Sequence, residues 1–318
     1  MNSLRIGAGL AAAFLFGTTP ALAQMFDGCP SPDIRARFEQ FGKTGIMPPD
    51  LRRWLGEPKA QYVEPYKAFD NVWYVGVCWV SSWAVRTNDG VVLIDTLHEP
   101  HVDTLLDNLK KVGIAPADIK YVLMTHGHFD HTGGAYKLQA LTKARFAMTQ
   151  RGWDEGIASA KQSEATPRPW KMIAQDQVLK DGDAVTVGET TFTLYETPGH
   201  TFGTASYSFN VRDDGKTYRA FTVGGLGLNA IQSSQQVEAF IASVKRIKAM
   251  VKDPVDPIAV HLTTHPFSNG LTEAKARIPG RKPGDPHPLV DPDGFLKQLE
   301  DLRRGAEERL IVERNAGR

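Results

Sequence analysis

The sequence predicts an α/β fold built from two mixed β-sheets with helices on the outside. Three observations predict it. Short, continuously apolar runs at 91–95 and 119–124 have the character of strands buried on both faces. Runs rich in Val, Thr, Phe and Tyr pair across Gly-containing turns as hairpins. Helical spacing of apolar residues alternates with these strands in both halves of the chain, and sheets covered by outer helices bury both element types.

Residues 1–23 read as a secretory signal. Arg5 supplies a positive start, 6–16 is apolar, Pro20 breaks the run, and Ala21-Leu22-Ala23 is the small-x-small pattern of a cleavage site. The apolar run is too short to span a bilayer, and no later segment approaches the ~18 apolar residues a transmembrane helix needs. The mature chain is therefore expected in the periplasm or outside the cell, with no membrane contact after cleavage. Residues 24–70 form a Pro-containing arm, and 71–318 the folded domain. Cys29 and Cys78, the only cysteines, are both exported on this reading and are expected to pair, pinning the arm to the first sheet. Neither has metal or redox spacing around it.

Within the domain, 71–77 and 79–86 are expected strands, followed by a turn at Asn88-Asp89-Gly90 and the buried strand 91–95. Val102, Leu105, Leu106 and Leu109 give helical spacing over 100–112. Strand 119–124, helix 133–141 and strand 144–148 follow. Residues 150–177 show no clear period and are expected to form a loop over a site, with Trp153, Arg168 and Trp170. The second half gives hairpins at 184–187/190–196 and 205–211/218–223. A helix over 237–250 carries Phe240, Ile241, Val244 and Ile247 on one face, and strand 258–262 and a loop at 280–288 come next. A last helix is capped by Asp291, has Pro292 at its first position, and runs to about residue 312.

Lys+Arg 37 against Asp+Glu 36 excludes the basic field of a general nucleic-acid binder and any long charged tail. The expected partner is a small-molecule substrate, and the sequence does not speak to oligomeric state.

The chemistry concentrates in Thr125-His126-Gly127-His128-Phe129-Asp130-His131, directly after strand 119–124. In extended chain, residues two apart face the same way, so His126 and His128 can reach one point. Asp130 and His131 follow at the turn toward a helix and can reach a second. Imidazole nitrogen and carboxylate oxygen both suit zinc. His200 follows a strand and a Pro198-Gly199 turn. His265 lies on the loop side of strand 258–262, whereas His261 inside that strand reads as a hydrogen-bonded core group.

The H-x-H-x-D-H block at 126–131, the later Pro198-Gly199-His200 and the strand-end His265 resemble the metallo-β-lactamase superfamily over about residues 71–266. The resemblance implies an αββα sandwich with two zinc ions at the sheet edges. His126, His128 and His200 would hold one and Asp130, His131 and His265 the other, each ion keeping an open position. Asp130 would orient the attacking water and accept its proton. Asp95 matches an acidic position beneath the metals, where it would hold a ligand histidine by hydrogen bond. The donor sets, the signal and the C-terminal helix are most similar to subclass B3 metallo-β-lactamases, which implies a hydrolase that opens the β-lactam amide with a water activated by zinc, and hence antibiotic resistance.

Most other hydrolases of the family, of glyoxalase II, lactonase or phosphodiesterase type, use an extra Asp bridging the metals. Here Val223-Gly224-Gly225-Leu226-Gly227-Leu228-Asn229 contains no acid. It also lacks the serines that help B3 enzymes hold the substrate carboxylate, for which Asn229, Ser233 and Arg168 are the candidate replacements. Another amide, ester or lactone substrate, or a non-catalytic zinc-binding protein, are the alternatives. The G-x-G-x-x-A match at 225–230 points to a dinucleotide enzyme only within a βαβ frame, which the hairpin pattern around it does not provide.

Overall fold

The computed structural model describes residues 26–317 apart from Gly45 and Pro283. The expected signal at 1–23 lies outside the described residues. The first sheet runs in chain order: β1 (Tyr66–Phe69), β2 (Val72–Tyr74), β3 (Trp83–Thr87), β4 (Gly90–Ile94), β5 (Ile119–Leu123), β6 (Arg145–Met148) and β7 (Gln177–Val178). β1 to β4 are antiparallel, and β4 to β7 parallel. The second sheet has the order β12-β11-β10-β9-β8. Its strands are β8 (Ala184–Val187), β9 (Thr190–Glu196), β10 (Ala205–Asp213), β11 (Lys216–Thr222) and β12 (Ile258–His261).

The period of two along each strand sorts side chains between two cores. Trp83, Val85, Val92 and Ile94 face the second sheet, where they meet Leu194, Tyr207, Phe209 and Val260. Their neighbours Ala84, Val91 and Leu93 face outward, with Val122 and Phe146, toward the helices. Double-sided burial is the reason these strands read as unbroken apolar runs.

Three helices precede the first sheet: α1 (Ser31–Thr44), α2 (Pro49–Leu55) and α3 (Pro58–Gln61). On its outer face lie α4 (Val102–Lys111), the single-turn α5 (Phe129–Thr132), α6 (Ala135–Leu141) and α7 (Gln150–Ser163); α4, α6 and α7 contribute Leu105, Leu138 and Trp153 to that core. α8 (Ser234–Val251) covers the second sheet, α9 (Leu271–Lys275) follows β12, and α10 (Pro292–Asn315) packs beside α8 through Phe295, Leu299 and Ala306. Asp291 caps α10 by accepting from the Gly294 amide at 2.9 Å. Among the described residues, no helix is long and apolar enough to cross a membrane.

Strand direction positions the site. β4 and β5 are parallel, so Asp95 and Thr125-His126 leave the first sheet at one edge. β9 and β11 both run antiparallel to β10, and β12 runs parallel to β11, so the segments after β9, β11 and β12 leave the second sheet together. The two edges are joined directly: the Ala205 amide donates to Thr125 O at 2.7 Å, and the Tyr207 hydroxyl to Met124 O at 2.9 Å.

Several expectations need correction. The arm at 24–70 is largely helical, and β1 at its end already belongs to the first sheet. The prolines that suggested an irregular arm instead start helices, Pro49 and Pro58 each occupying a first-turn position where no amide hydrogen is needed. The stretch 78–82 turns rather than extends, so β3 begins only at Trp83. Residues 150–177 are not a loop throughout. Thr149 caps α7 by accepting from the Gly152 amide, and the buried face is Gly152, Trp153, Gly156, Ala160 and Ser163. Small residues carry that face because α7 packs on backbone: a Cβ at Gly127 would stand 2.4 Å from Gly156 N, and one at Gly203 2.3 Å from Gly152 N. Trp153 is fully buried and donates to Gln177 O, so it belongs to the core. Cys29 and Cys78 form a disulfide that ties the segment before α1 to the turn between β2 and β3.

Candidate metal centre

Two groups of side chains meet where the sheet edges join. His126, His128 and His200 form one, and Asp130, His131 and His265 the other. Within each group the donor atoms lie within 4.8 Å of one another. The groups adjoin, with the His126 and His131 rings 4.2 Å apart. All six residues singled out in the sequence are thus brought together.

Hydrogen bonds fix which nitrogen of each ring carries its proton. A carbonyl or carboxylate only accepts, so the ring atom facing it must donate. His131 Nδ1 faces Asp95 Oδ2 at 2.8 Å, His200 Nδ1 faces Gly227 O at 2.6 Å, and His265 Nδ1 faces Trp79 O at 2.8 Å. Thr125 Oγ1 donates to Asp95 Oδ2 at 2.9 Å and so receives the proton of His126 Nδ1 at 3.2 Å. In the neutral forms of these four rings, each Nε2 therefore presents a lone pair inward.

The inward atoms are crowded. His128 Nδ1 lies 3.0 Å from His126 Nε2 and 3.1 Å from His200 Nε2. One proton on His128 cannot serve both lone pairs well, whereas a cation between the three nitrogens serves all. Asp130 Oδ2 lies 3.3 Å from His131 Nε2 and 3.8 Å from His265 Nε2. The His131 Nε2 atom is buried and its contact with Asp130 lacks hydrogen-bond geometry. Both groups fit a metal ion.

The field of the site agrees. Burial, with the neighbouring histidines, holds His126 well below its usual value. Burial pushes His200 down to about 3 and His265 to about 4. Burial opposes the charge of Asp130, but His131, His265 and His128 hold its carboxyl well below the usual carboxylate range. Burial also opposes a charge on His131, yet Asp130 and Asp95 push it up to about 10. A proton on His131 Nε2 and a cation compete for the same lone pair.

Sequence reasoning missed part of the scaffold. Thr125 joins Asp95 to His126 through one hydroxyl. Gly227 and Trp79 act through carbonyls, which no side-chain pattern announces. Gly225 is needed because a Cβ there would stand 2.5 Å from His200 Cβ, and Gly224 because its Cβ would stand 1.8 Å from Ala205 O. Of the candidate carboxylate contacts, Ser233 instead caps α8, and Arg168 is exposed with its guanidinium against Gly56. Asn229 folds its side chain over Gly227, beside His200. His261 donates from Nδ1 to Gln298 Oε1 at 2.9 Å inside β12, as a core group would.

Residues 75–214 match the family model described as the metallo-beta-lactamase superfamily. About four fifths of the chain is similar to two solved metallo-β-lactamase structures. One is BJP-1, a subclass B3 metallo-β-lactamase of Bradyrhizobium japonicum, 26% identical over 81% of this chain and 97% of that one, TM-score 0.71. The other is the FEZ-1 metallo-β-lactamase from Legionella gormanii, 25% identical over 80% and 98%, TM-score 0.72. Curated relatives include hydroxyacylglutathione hydrolases of Methylobacterium nodulans, 33% identical over 38% of this chain, and of Rhodopseudomonas palustris, 32% identical over 43%. The match spans less than half the length of either relative, 43% and 45%. Residues 75–214 therefore match the metallo-β-lactamase superfamily, the two-sheet fold around them is that of the subclass B3 metallo-β-lactamase BJP-1, and with His265 beyond the matched residues the chain presents two side-chain groups that could hold metal ions.

Proposed function

We propose that this protein is an exported dinuclear zinc hydrolase of the subclass B3 type, acting on a small-molecule carbonyl compound, with the β-lactam amide as the leading substrate class. The observation that carries this reading is the closed glycine stretch after β11. Gly224 and Gly225 lie so close to Ala205 O and His200 that neither position accepts any side chain. No carboxylate from that stretch can bridge the two groups, which separates this site from the glyoxalase II pattern. Three-imidazole and Asp-His-His donor sets suit zinc.

When bound, two zinc ions supply Lewis acidity toward a carbonyl oxygen and lower the pKa of coordinated water. The chain's own residues do the rest. His126, His128 and His200 bind one ion, and Asp130, His131 and His265 the other. Asp130, held ionised, accepts the proton of the attacking water and returns it to the leaving group. Asp95 and Thr125 lock the orientation of His131 and His126. Export rests on the signal read in residues 1–23.

A second reading, hydrolysis of an acyl thioester, is supported by the hydroxyacylglutathione hydrolases among the relatives. Initial rates decide between them: a penicillin, a cephalosporin, a carbapenem, a homoserine lactone and an acyl-glutathione thioester, each assayed with zinc and after chelation. The expected result is β-lactam opening that the chelator abolishes and zinc restores. Protein loaded with two zinc ions that turns over none of the five would refute the hydrolase reading.

A further inference from the structure

We propose that Phe129, backed by the buried Trp79 ring, forms a subsite for an apolar, preferably aromatic, group on the substrate. The inference rests on the hydrolase reading above and names the kind of substrate it favours.

Phe129 sits in the chain between two donor residues, His128 and Asp130, so its ring leaves the backbone at the rim of the centre. It is 42% exposed. Leaving that much of a phenyl ring in water forgoes burial that a Phe side chain ordinarily gains. The ring does not stand alone. It meets the His98 ring edge-on at 4.9 Å and the Trp79 ring at 6.1 Å. Trp79 in turn stacks on His265 at 6.1 Å and 29°. An aromatic strip therefore runs from the Asp130 group outward, with His98 packed against both rings.

The strip is also held in place. The Trp79 amide donates to Gln61 Oε1 at 2.9 Å, its carbonyl receives His265 Nδ1, and the preceding Cys78 is in the disulfide. A wall fixed before binding loses little conformational freedom when a ligand arrives, which favours affinity.

The test uses the zinc-loaded protein and three 4-nitrophenyl esters with one leaving group: acetate, phenylacetate and hemisuccinate. We expect kcat/KM for the phenylacetyl ester to exceed the acetyl value about tenfold or more, mainly through KM, and the succinyl ester to gain nothing over acetyl. In Phe129→Ala the phenylacetyl-to-acetyl ratio falls toward one, and Trp79→Phe reduces it less. Zinc content of each variant separates a lost subsite from a lost metal. A wild-type ratio near one, a succinyl preference, or a ratio unchanged in Phe129→Ala would overturn the proposal. Calorimetric titration with phenylacetate and acetate gives a readout without turnover. Tighter binding of phenylacetate that Phe129→Ala abolishes supports the subsite, and equal affinities refute it. If no ester is hydrolysed, the five-substrate panel above still decides the hydrolase reading, and the titration decides the subsite.

Discussion

One oxygen of Asp95 receives the His131 Nδ1 proton at 2.8 Å and the Thr125 hydroxyl at 2.9 Å, while its other oxygen takes the Thr125 amide at 2.8 Å. A single buried carboxylate thus joins the end of β4 to the chain after β5 and sets the inward lone pairs of His131 and, through Thr125, of His126. The residue holds a left-handed backbone conformation, φ 61°, which few non-glycine residues adopt, and such strain concentrates at sites whose surroundings enforce it.

Asp95→Asn keeps the size but removes the charge and turns one acceptor into a donor facing donors. We expect metal affinity to fall roughly 10–100-fold, the usual consequence of disturbing a residue that orients a ligand. Each donor left unpaired costs about 1–3 kcal/mol of stability. Competition with a chelator of known affinity and a thermal melt of the same samples measure both. Unchanged metal affinity would disprove the orienting role.

Asp130 and His200 should fail in different ways. Asp130→Asn removes the proton acceptor, so kcat should drop about 10²–10⁴-fold with a much smaller change in KM. His200→Ala removes one of the two imidazole nitrogens that lie about 3 Å from His128 Nδ1, so the zinc content should fall from two ions per chain toward one. Steady-state kinetics paired with metal analysis separates the cases, and full occupancy in His200→Ala would contradict the donor assignment.

The disulfide couples the N-terminal segment to the second donor group. It closes a loop of 49 residues, and constraining the unfolded chain that way contributes roughly 2–4 kcal/mol. Cys78 also precedes Trp79, whose carbonyl holds His265. In Cys29→Ser, Cys78→Ser protein we expect a lower denaturant midpoint, and the metal at Asp130, His131 and His265 should leave before the other during chelation. Simultaneous loss of both ions at wild-type rates would rule out the coupling.

The 126–131 cluster was legible because four ligand-type residues stand at one strand end in a compact motif; His200, His265 and Asp95 were placed with it only through the family resemblance, and the structure brings all of them to one place. The supports contributed by Trp79, Gly227 and Gln61 were not legible, because backbone atoms or long-range contacts carry them and any residue has a carbonyl. α7 escaped because its buried face is, apart from Trp153, made of the small residues Gly152, Gly156, Ala160 and Ser163, which leave no hydrophobic period while allowing backbone to meet backbone. The short helices before the first sheet escaped because Pro49 and Pro58 break chains in most settings but start helices here.

His261 gives a pH dependence that is separable from the metal centre. Its ring stacks on Phe295 at 4.2 Å, and its Nε2 is buried without a hydrogen-bond partner. Burial pushes it down to about 3, against an ordinary value of 6.5. Because the folded value lies below the unfolded one, the unfolded chain takes up the proton first as pH falls. Above about 6.5 the group costs nothing; below that it removes on the order of 1 kcal/mol of stability per pH unit until the folded ring itself takes up the proton. Asn at this position can still donate to Gln298 but does not titrate. Denaturant unfolding of chelator-treated wild type and His261→Asn at pH 7, 6 and 5 should therefore show a shallower loss in the variant, by about one proton. Parallel slopes would mean that the His261 ring takes up its proton without unfolding the helix packed against β12.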